Sequence, residues 1–270
     1  AGDFQRIGLS ATVRPLEAVA DFLGPRTTII QPPGEKRWDL AVRVPVADMS
    51  DLPVPEEAST IGDAIVDDVL DLDGETAALM PPAPKSIWPH IAESVYREVM
   101  AHRSTIVFVN SRRTAERLTS QLNELWAKEH DPEALSPATR RPPAQLGKGV
   151  DLAGEAAPVI ARAHHGSVSK DERATTETML KEGTLKAVVS TSSLELGIDM
   201  GAVELVIQVE SPPSVASGLQ RVGRAGHTVG AISHGSFYPK HRSDLVQTAV
   251  TVPRMREGLI EELRTPRSPL

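Results

Sequence analysis

The pattern of apolar and polar positions predicts a regular succession of helices and strands from residue 86 onwards. Apolar residues at helical spacing predict one helix that starts near Ser86 and a second with a stripe from Ala115 to Leu125. Short, mostly apolar runs predict buried strands at Thr105–Val109, Val159–Ala163, Ala187–Ser190, Leu205–Val209 and Ala231–Tyr238. Strands that alternate with helices imply an α/β fold, doubly wound, with a mostly parallel sheet and helices on both faces.

Further elements are predicted by capping and turn residues. Ser169 and Glu172 form an S-x-x-E capping box that opens a helix, and Gly183 ends that helix. At the other positions, the pattern predicts the end of a buried strand at Arg6–Leu9, a helix at Pro15–Leu23, β-like runs at Thr27–Gln31 and Trp38–Val44, and a helix over Lys240–Leu263 apart from Pro253.

Two segments interrupt this order and are predicted to be insertions, at about residues 46–84 and 130–158. The first contains ten acidic residues and no Lys or Arg between Asp48 and Glu75, with helical spacing in Ile61–Leu72. The second is rich in Pro, Ala and Gly, which is typical of disorder. Without the ten acidic residues the net charge changes from −7 to +3, so the remainder is compatible with nucleic-acid binding.

Composition excludes several classes of protein. The chain has 270 residues and no cysteine, which excludes disulfides and thiolate metal sites and fits a reducing compartment. No apolar run approaches the roughly 18 residues that a membrane span needs, and the N-terminal residues show no signal-peptide pattern. We therefore expect a cytoplasmic bacterial protein without membrane contact.

The most informative stretch is Ser190–His227, in which a strand, a polar turn, a second strand and a helix with two arginines follow one another. Arg221 and Arg224 are three residues apart, so on one helix both can point into one cleft. This order resembles motifs V and VI of superfamily 2 helicases, and the variant resembles the Lhr (large helicase-related) family of ATP-dependent DNA helicases. The resemblance implies a RecA-like fold, and more precisely the second RecA-like domain of the motor.

The resemblance implies a role for each residue of these two motifs. In motif V, Thr191 matches a phosphate contact, Gly197 allows a tight turn near the nucleotide, and Asp199 matches the contact to the ATP ribose. In motif VI, Arg224 matches the arginine finger, Gln220 orients nearby groups, Arg221 braces the motif, and His227 replaces a second finger, which leaves its role open. The alternatives are turn capping by Asp199 and a salt-bridged surface helix for motif VI.

Three upstream groups carry the resemblance further. Ser10-Ala11-Thr12 matches motif III, which couples ATP state to domain closure, although Thr12 is also a plausible helix cap. Asn110-Ser111-Arg112 matches motif IV, which grips the nucleic-acid backbone at a helix start. His165-Gly166-Ser167 repeats that arrangement and predicts a second phosphate contact. The alternatives are a plain N-cap for Ser111, a solvated Arg112 and a structural role for His164 or His165.

The chain contains no G-x-x-x-x-G-K-[ST] motif and no strand that ends in an Asp-Glu pair. The resemblance therefore implies half of a site for ATP with Mg²⁺, most of whose ligands belong to a first RecA-like domain, and no metal ligand in this chain. Residues 1–24 would end that domain, residues 25–263 would form the second, and residues 264–270 would lead to a winged-helix domain.

The predicted function is the C-terminal motor domain of a 3′-5′ DNA helicase, with single-stranded DNA or a 3′-tailed duplex as partner. This fragment alone is predicted to be inactive. Two alternatives stay open. One is the corresponding half of a superfamily 2 RNA helicase, because phosphate contacts do not distinguish DNA from RNA. The other is a truncated, non-catalytic module that only binds nucleic acid.

Overall fold

The computed structural model describes residues 5–10, 12–31, 36–52, 86–132, 160–195, 203–226 and 230–263. Six parallel strands form one sheet in the order β1-β6-β5-β2-β4-β3. The strands are β1 Arg37–Val42, β2 Thr105–Phe108, β3 Ala161–His164, β4 Ala187–Ser190, β5 Leu205–Val209 and β6 Ile232–Tyr238. The mostly parallel sheet predicted from the sequence is thereby confirmed.

The described residues form the helices α1 Leu16–Leu23, α2 Trp88–Ala101, α3 Arg112–His130, α4 Lys170–Glu182, α5 Val215–Val222 and α6 Arg242–Arg256, and a 3₁₀ turn at Ser192–Leu194. Helices α2 to α5 connect strands as crossovers, whereas α1 precedes β1 and α6 follows β6. Parallel strands require such crossovers, since a tight hairpin can join only antiparallel neighbours.

The core lies on both faces of the sheet, as predicted, because side chains alternate along each strand. In β2, Val107 packs against the helices α2 and α3, in a cluster with Val95 and Leu118. Its neighbours Ile106 and Phe108 point to the other face, in a cluster with residues of α4, α5 and α6. Each such side chain contributes about 1.5–3 kcal/mol when it is fully buried.

Helix α4 forms where its capping residues predict it. The Ser169 hydroxyl accepts the Glu172 backbone N–H, and the Glu172 carboxylate accepts the Ser169 backbone N–H, which completes the capping box. At the other end Gly183 has φ 76°, a left-handed conformation that favours glycine, and it ends the helix.

Three predictions near the ends of the chain are wrong. Residues 5–10 and 27–31 lie outside any strand of the described residues, and Ile7, Leu9 and Ile30 are exposed. An apolar run becomes a strand only when a neighbouring strand pairs with it, and here β1 forms the sheet edge on that side. Helix α6 includes Pro253 and ends at Arg256, because Gly258 with φ 67° turns the chain away.

The first predicted insertion begins with packed residues. Val46 is buried in the core, and Met49 and Leu52 pack against it, so the ordered domain extends beyond β1 to at least Leu52. Residues 53–85 and 133–159 lie outside the described residues, and with them the predicted helix at Ile61–Leu72 and most of both insertions.

Candidate functional site

The ends of three neighbouring strands bring the first group of predicted residues together. β2, β4 and β3 are adjacent and parallel, so the loops that follow them meet at the carboxyl edge of the sheet. There the guanidinium of Arg112 donates from Nη1 to Ser167 Oγ at 2.7 Å, and the Thr191 backbone N–H donates to the His164 carbonyl at 3.3 Å. We call Ser111, Arg112, Gly166, Ser167 and Thr191 the carboxyl-edge cluster.

Ser111 has a structural task within this cluster. Its hydroxyl accepts the Thr114 backbone N–H at 3.0 Å and so caps α3, which is the plain N-cap alternative. Because an N-cap leaves other N–H groups of the first turn open to solvent, this task is compatible with a phosphate at the helix start.

His165 is buried and fixes the 165–167 loop through hydrogen bonds. It is 5% exposed, its Nε2 bonds the Glu116 carboxylate at 2.6 Å, and its Nδ1 accepts the Ser167 backbone N–H at 3.3 Å. Both ring nitrogens thus have protein partners. Arg112 and Glu116 are four residues apart on α3, so one helix holds the 165–167 loop through two side chains.

Asn110 is exposed, and its side chain bonds residues outside the carboxyl-edge cluster. Its amide Nδ2 donates to the Ser211 carbonyl at 2.9 Å, and its Oδ1 accepts Arg221 Nη1 at 3.3 Å. This geometry links the loop after β2 to helix α5.

Arg221 lies at the centre of a buried polar network. Its side chain is 2% exposed, its Nε donates to Glu195 Oε2 at 2.9 Å, and its Nη1 donates to Gln208 Oε1 at 2.9 Å. The guanidinium also lies 5.2 Å from the centre of the Phe108 ring. We call Arg221, Asn110, Glu195 and Gln208 the Arg221 network; a buried charge is tolerated when paired and hydrogen-bonded in this way.

The expectation that Arg221 and Arg224 share one helix face is wrong. Helix α5 ends at Val222, so Arg224 lies in the turn that follows, where its backbone N–H donates to the Arg221 carbonyl at 3.0 Å. Arg221 points into the core, whereas Arg224 is only half-buried. The brace role of Arg221 stays a prediction.

Motifs III and VI meet at one contact. Gln220 Nε2 donates to Thr12 Oγ1 at 2.5 Å, which joins helix α5 to the segment before α1. Ser10 is exposed in the same segment. Ala11, Gly197, Asp199 and His227 lie outside the described residues.

The start of motif V is held by a second buried histidine. His164 Nε2 bonds Glu177 Oε1 at 3.0 Å and Nδ1 bonds Ser193 Oγ at 2.8 Å. Burial lowers the pKa of His164, while the Glu177 carboxylate acts in the opposite direction. The neutral imidazole therefore ties β3, α4 and the turn after Thr191 together.

Sequence reasoning missed three residues that the structure brings to these groups: Glu195, Gln208 and Lys36. Glu195 lies within the motif V stretch, but its spacing gave no sign of its partner. Lys36 precedes β1 and donates from Nζ to the Gly223 carbonyl at 3.1 Å, next to Arg224. Only the tertiary fold brings residues so far apart in the chain into contact.

The part of the chain that the structure describes contains neither a metal-binding cluster nor a membrane-spanning helix. No group of three or more His, Cys, Asp or Glu residues there could hold a metal ion. No helix there is both long and apolar enough to cross a membrane.

The chain is similar in sequence to known helicases. The family model of the helicase conserved C-terminal domain matches residues 144–228 of this chain. The chain is 54% identical to the Lhr helicase/probable uracil glycosylase of Mycolicibacterium smegmatis, over 98% of this chain and 16% of the relative. It is 48% identical to the Lhr helicase/uracil glycosylase of Escherichia coli, over the same shares. It is 34% identical to the ATP-dependent helicase Lhr-Core of Saccharolobus solfataricus, over 99% of this chain and 25% of the relative.

A solved structure covers nearly all of the chain. The structure of Mycobacterium smegmatis helicase Lhr bound to ssDNA and AMP-PNP matches 97% of this chain and 27% of that chain, with a TM-score of 0.73 and 52% identity. This chain belongs to the Lhr family of helicases. It carries the C-terminal helicase domain of this superfamily 2 family, with a RecA-like fold, and spans about one sixth of the two bacterial Lhr relatives' length.

Proposed function

We propose that this Lhr domain is the second half of an ATP-dependent 3′-5′ DNA motor, and that it grips one DNA strand while it completes the ATP site. The observation that carries the proposal is the Arg221 network. One buried guanidinium bonds Asn110 of motif IV and Glu195 of motif V, and it lies on the helix that leads to Arg224. A change at the nucleotide side can therefore reach the carboxyl-edge cluster through a single side chain.

In this proposal the carboxyl-edge cluster binds the phosphates of a single strand. Arg112 supplies the charge, the Ser167 hydroxyl and the Thr191 backbone supply neutral contacts, and His165 and Asn110 hold the loops in place. Contacts to phosphate do not depend on base sequence, which suits a translocating motor. The mildly basic charge outside the acidic segment supports such a partner.

On the nucleotide side, Arg224 acts as the arginine finger. Its guanidinium is planar and always charged, which suits the charge that develops on a transferred phosphoryl group. Gln220 orients the turn through Thr12, and Gly197 and Asp199 remain proposed contacts to the nucleotide and its ribose. A cationic turn fits a polyphosphate, whereas the described residues offer no carboxylate cluster for Mg²⁺, so we assign its ligands to the first RecA-like domain.

Residues 1–24 are proposed to close that first domain, and residues 25–263 to form the second. Phe22 and Leu9 support this division, because both are large apolar side chains with high exposure, of the kind that an interface covers. The Arg14 carbonyl also accepts the Leu263 backbone N–H at 2.6 Å, which joins the two ends of the described chain. Nucleoid association follows from DNA as the substrate.

The test separates the half-site from a complete enzyme. The purified 270-residue chain should show no DNA-stimulated ATP hydrolysis, because neither a phosphate-binding lysine nor a Walker B acid is present in its sequence. A polypeptide that carries this chain together with its Walker-bearing domain should hydrolyse ATP and unwind a 3′-tailed duplex. Robust hydrolysis by the isolated chain would overturn the proposal.

RNA is the alternative substrate, because in this proposal the carboxyl-edge cluster contacts only phosphates, which DNA and RNA share. Matched DNA and RNA strands in the same unwinding assay distinguish them, and we expect faster unwinding of DNA. If the complete polypeptide binds single strands but neither hydrolyses ATP nor unwinds either duplex, the chain is a binding module instead.

A further inference from the structure

A lysine outside every helicase motif contacts the turn that carries Arg224. Lys36 lies directly before β1, and its ammonium donates to the carbonyl of Gly223 at 3.1 Å. The same ammonium lies 5.1 Å from the centre of the Trp38 ring, which attracts a cation through its negative face. These two contacts therefore hold the long, flexible Lys36 side chain against the Gly223 carbonyl.

The backbone that Lys36 contacts is closely packed. Gly223 is the C-cap of α5, and its N–H donates to the Leu219 carbonyl at 2.8 Å. A Cβ added at Gly223 would lie 2.8 Å from that carbonyl oxygen and 3.5 Å from Lys36 Nζ. Gly223 is thus held by helix α5 on one side and by Lys36 on the other. These two contacts set the direction in which the chain leaves the helix, and therefore the position from which the Arg224 side chain extends.

The two cations also affect each other. Partial burial and the positive charge of Arg224 lower the pKa of Lys36, so the two charges are close enough to repel. Repulsion between neighbouring cations is relieved when a polyanion binds beside them. The arrangement therefore favours a bound polyphosphate over an empty site.

We infer that Lys36 is a positioning residue for ATP hydrolysis, because it fixes the Gly223 carbonyl and thereby aims the following Arg224 at the nucleotide. This inference rests on the proposed function, since it assumes that Arg224 is the arginine finger. It assigns a role in the nucleotide site to the start of β1, an element that contributes no helicase motif.

The experiment measures steady-state kcat and KM for ATP in the polypeptide that carries both halves of the motor. Lys36→Met should lower kcat by about 10- to 100-fold, as expected for a reactive group displaced by roughly 1 Å. KM should change by less than about threefold, because a finger acts mainly on the transition state. Lys36→Arg should recover most of the loss, since a guanidinium can also bond the carbonyl and stack on Trp38.

A double variant distinguishes positioning from an independent contribution. If Lys36 acts only through Arg224, Lys36→Met should change kcat by less than about twofold in an Arg224→Ala background, because the effects are then not additive. Lys186 offers a matched control: its ammonium donates to the His102 carbonyl at the C-cap of α2, also at 3.1 Å. Lys186→Met loses the same kind of bond, so the melting temperature should fall while kcat stays unchanged.

Wild-type kcat in Lys36→Met, or equal losses in both backgrounds, would overturn the positioning role of Lys36 and leave the finger intact. Loss of kcat in Lys186→Met to the same extent would also overturn it, since the effect would then come from stability. Wild-type kcat in Arg224→Ala would instead overturn the proposed finger itself, a failure that the same set of variants identifies separately.

Discussion

The carboxyl-edge cluster and the turn after α5 both carry arginines that motif patterns single out, yet the two regions are built differently. At the carboxyl edge, Arg112 is exposed and bonds Ser167 of the neighbouring loop. At α5, Arg221 is buried and reaches residues of two other loops and one strand. The exposed arginine lies where a ligand can reach it, whereas the buried one links separate segments of the domain.

The largest effect is expected where the turn after α5 is proposed to meet the nucleotide. In the polypeptide that carries both halves of the motor, Arg224→Ala should lower kcat for ATP by about 10³–10⁵-fold, because arginine fingers stabilise the transition state to that extent. Binding of ATP should change much less. Steady-state kinetics and nucleotide titrations measure both, and Arg224→Lys should rescue little, since an ammonium lacks the planar fork.

The next largest effect concerns stability. Arg221→Met in the 270-residue chain should lower the free energy of unfolding by about 3–5 kcal/mol, because Glu195 is left buried without its partner. Urea denaturation measures the loss. The double variant Arg221→Met/Glu195→Gln should recover part of it, and a single variant as stable as the wild type would show that the buried pair does not hold the motifs together.

The carboxyl-edge cluster should respond in binding rather than stability. Arg112→Ala should weaken single-stranded DNA binding by the isolated chain and flatten the slope of log K against log salt by about 0.7 for one lost phosphate contact. Arg103 is the control, because it precedes β2 while Arg112 follows it, and it pairs with Glu204 at the opposite edge. An unchanged slope in Arg112→Ala would remove motif IV from the DNA path.

The smallest effect is a pH dependence at His164. Its pKa is lowered in the folded chain by burial, so the unfolded chain takes up the proton first as the pH falls below about 6.5. Above that value both states are neutral and the residue adds no pH dependence. Unfolding free energies at pH 7.5 and 5.5 should therefore show a loss at the lower pH that His164→Gln reduces. Equal pH dependence in both proteins would contradict the assignment.

Local signals in the sequence predicted much of the fold. The capping box at Ser169 and Glu172 and the left-handed Gly183 act within one helix, so no other part of the chain is needed to recognise them. Strands β4 and β5 have their predicted bounds because both faces of each strand are buried and the runs are therefore mostly apolar.

Contacts between distant residues could not be predicted in this way. The runs at 5–10 and 27–31 have strand composition without a neighbouring strand, and composition alone cannot supply one. The spacing of Arg221 and Arg224 predicts one helix face only if the helix continues through Gly223, and α5 instead ends at Val222 with Gly223 as its C-cap. The partners of Arg221, Asn110 and Lys36 depend on the strand order, which the sequence pattern leaves undetermined.

The position of β1 in the sheet has a consequence for how the protein is made. Among the strands of this sheet β1 is synthesised first, yet its partner is β6, with Arg37 opposite Ile232. β1 cannot pair until β6 has been synthesised, and pairing between strands so far apart in the sequence slows folding. The turn that carries Arg224 immediately precedes β6, and the Ser233 hydroxyl donates to the Ala225 carbonyl at 2.7 Å. During synthesis the strands β2, β3 and β4, which carry the carboxyl-edge cluster, can therefore assemble before the turn that carries Arg224 is completed.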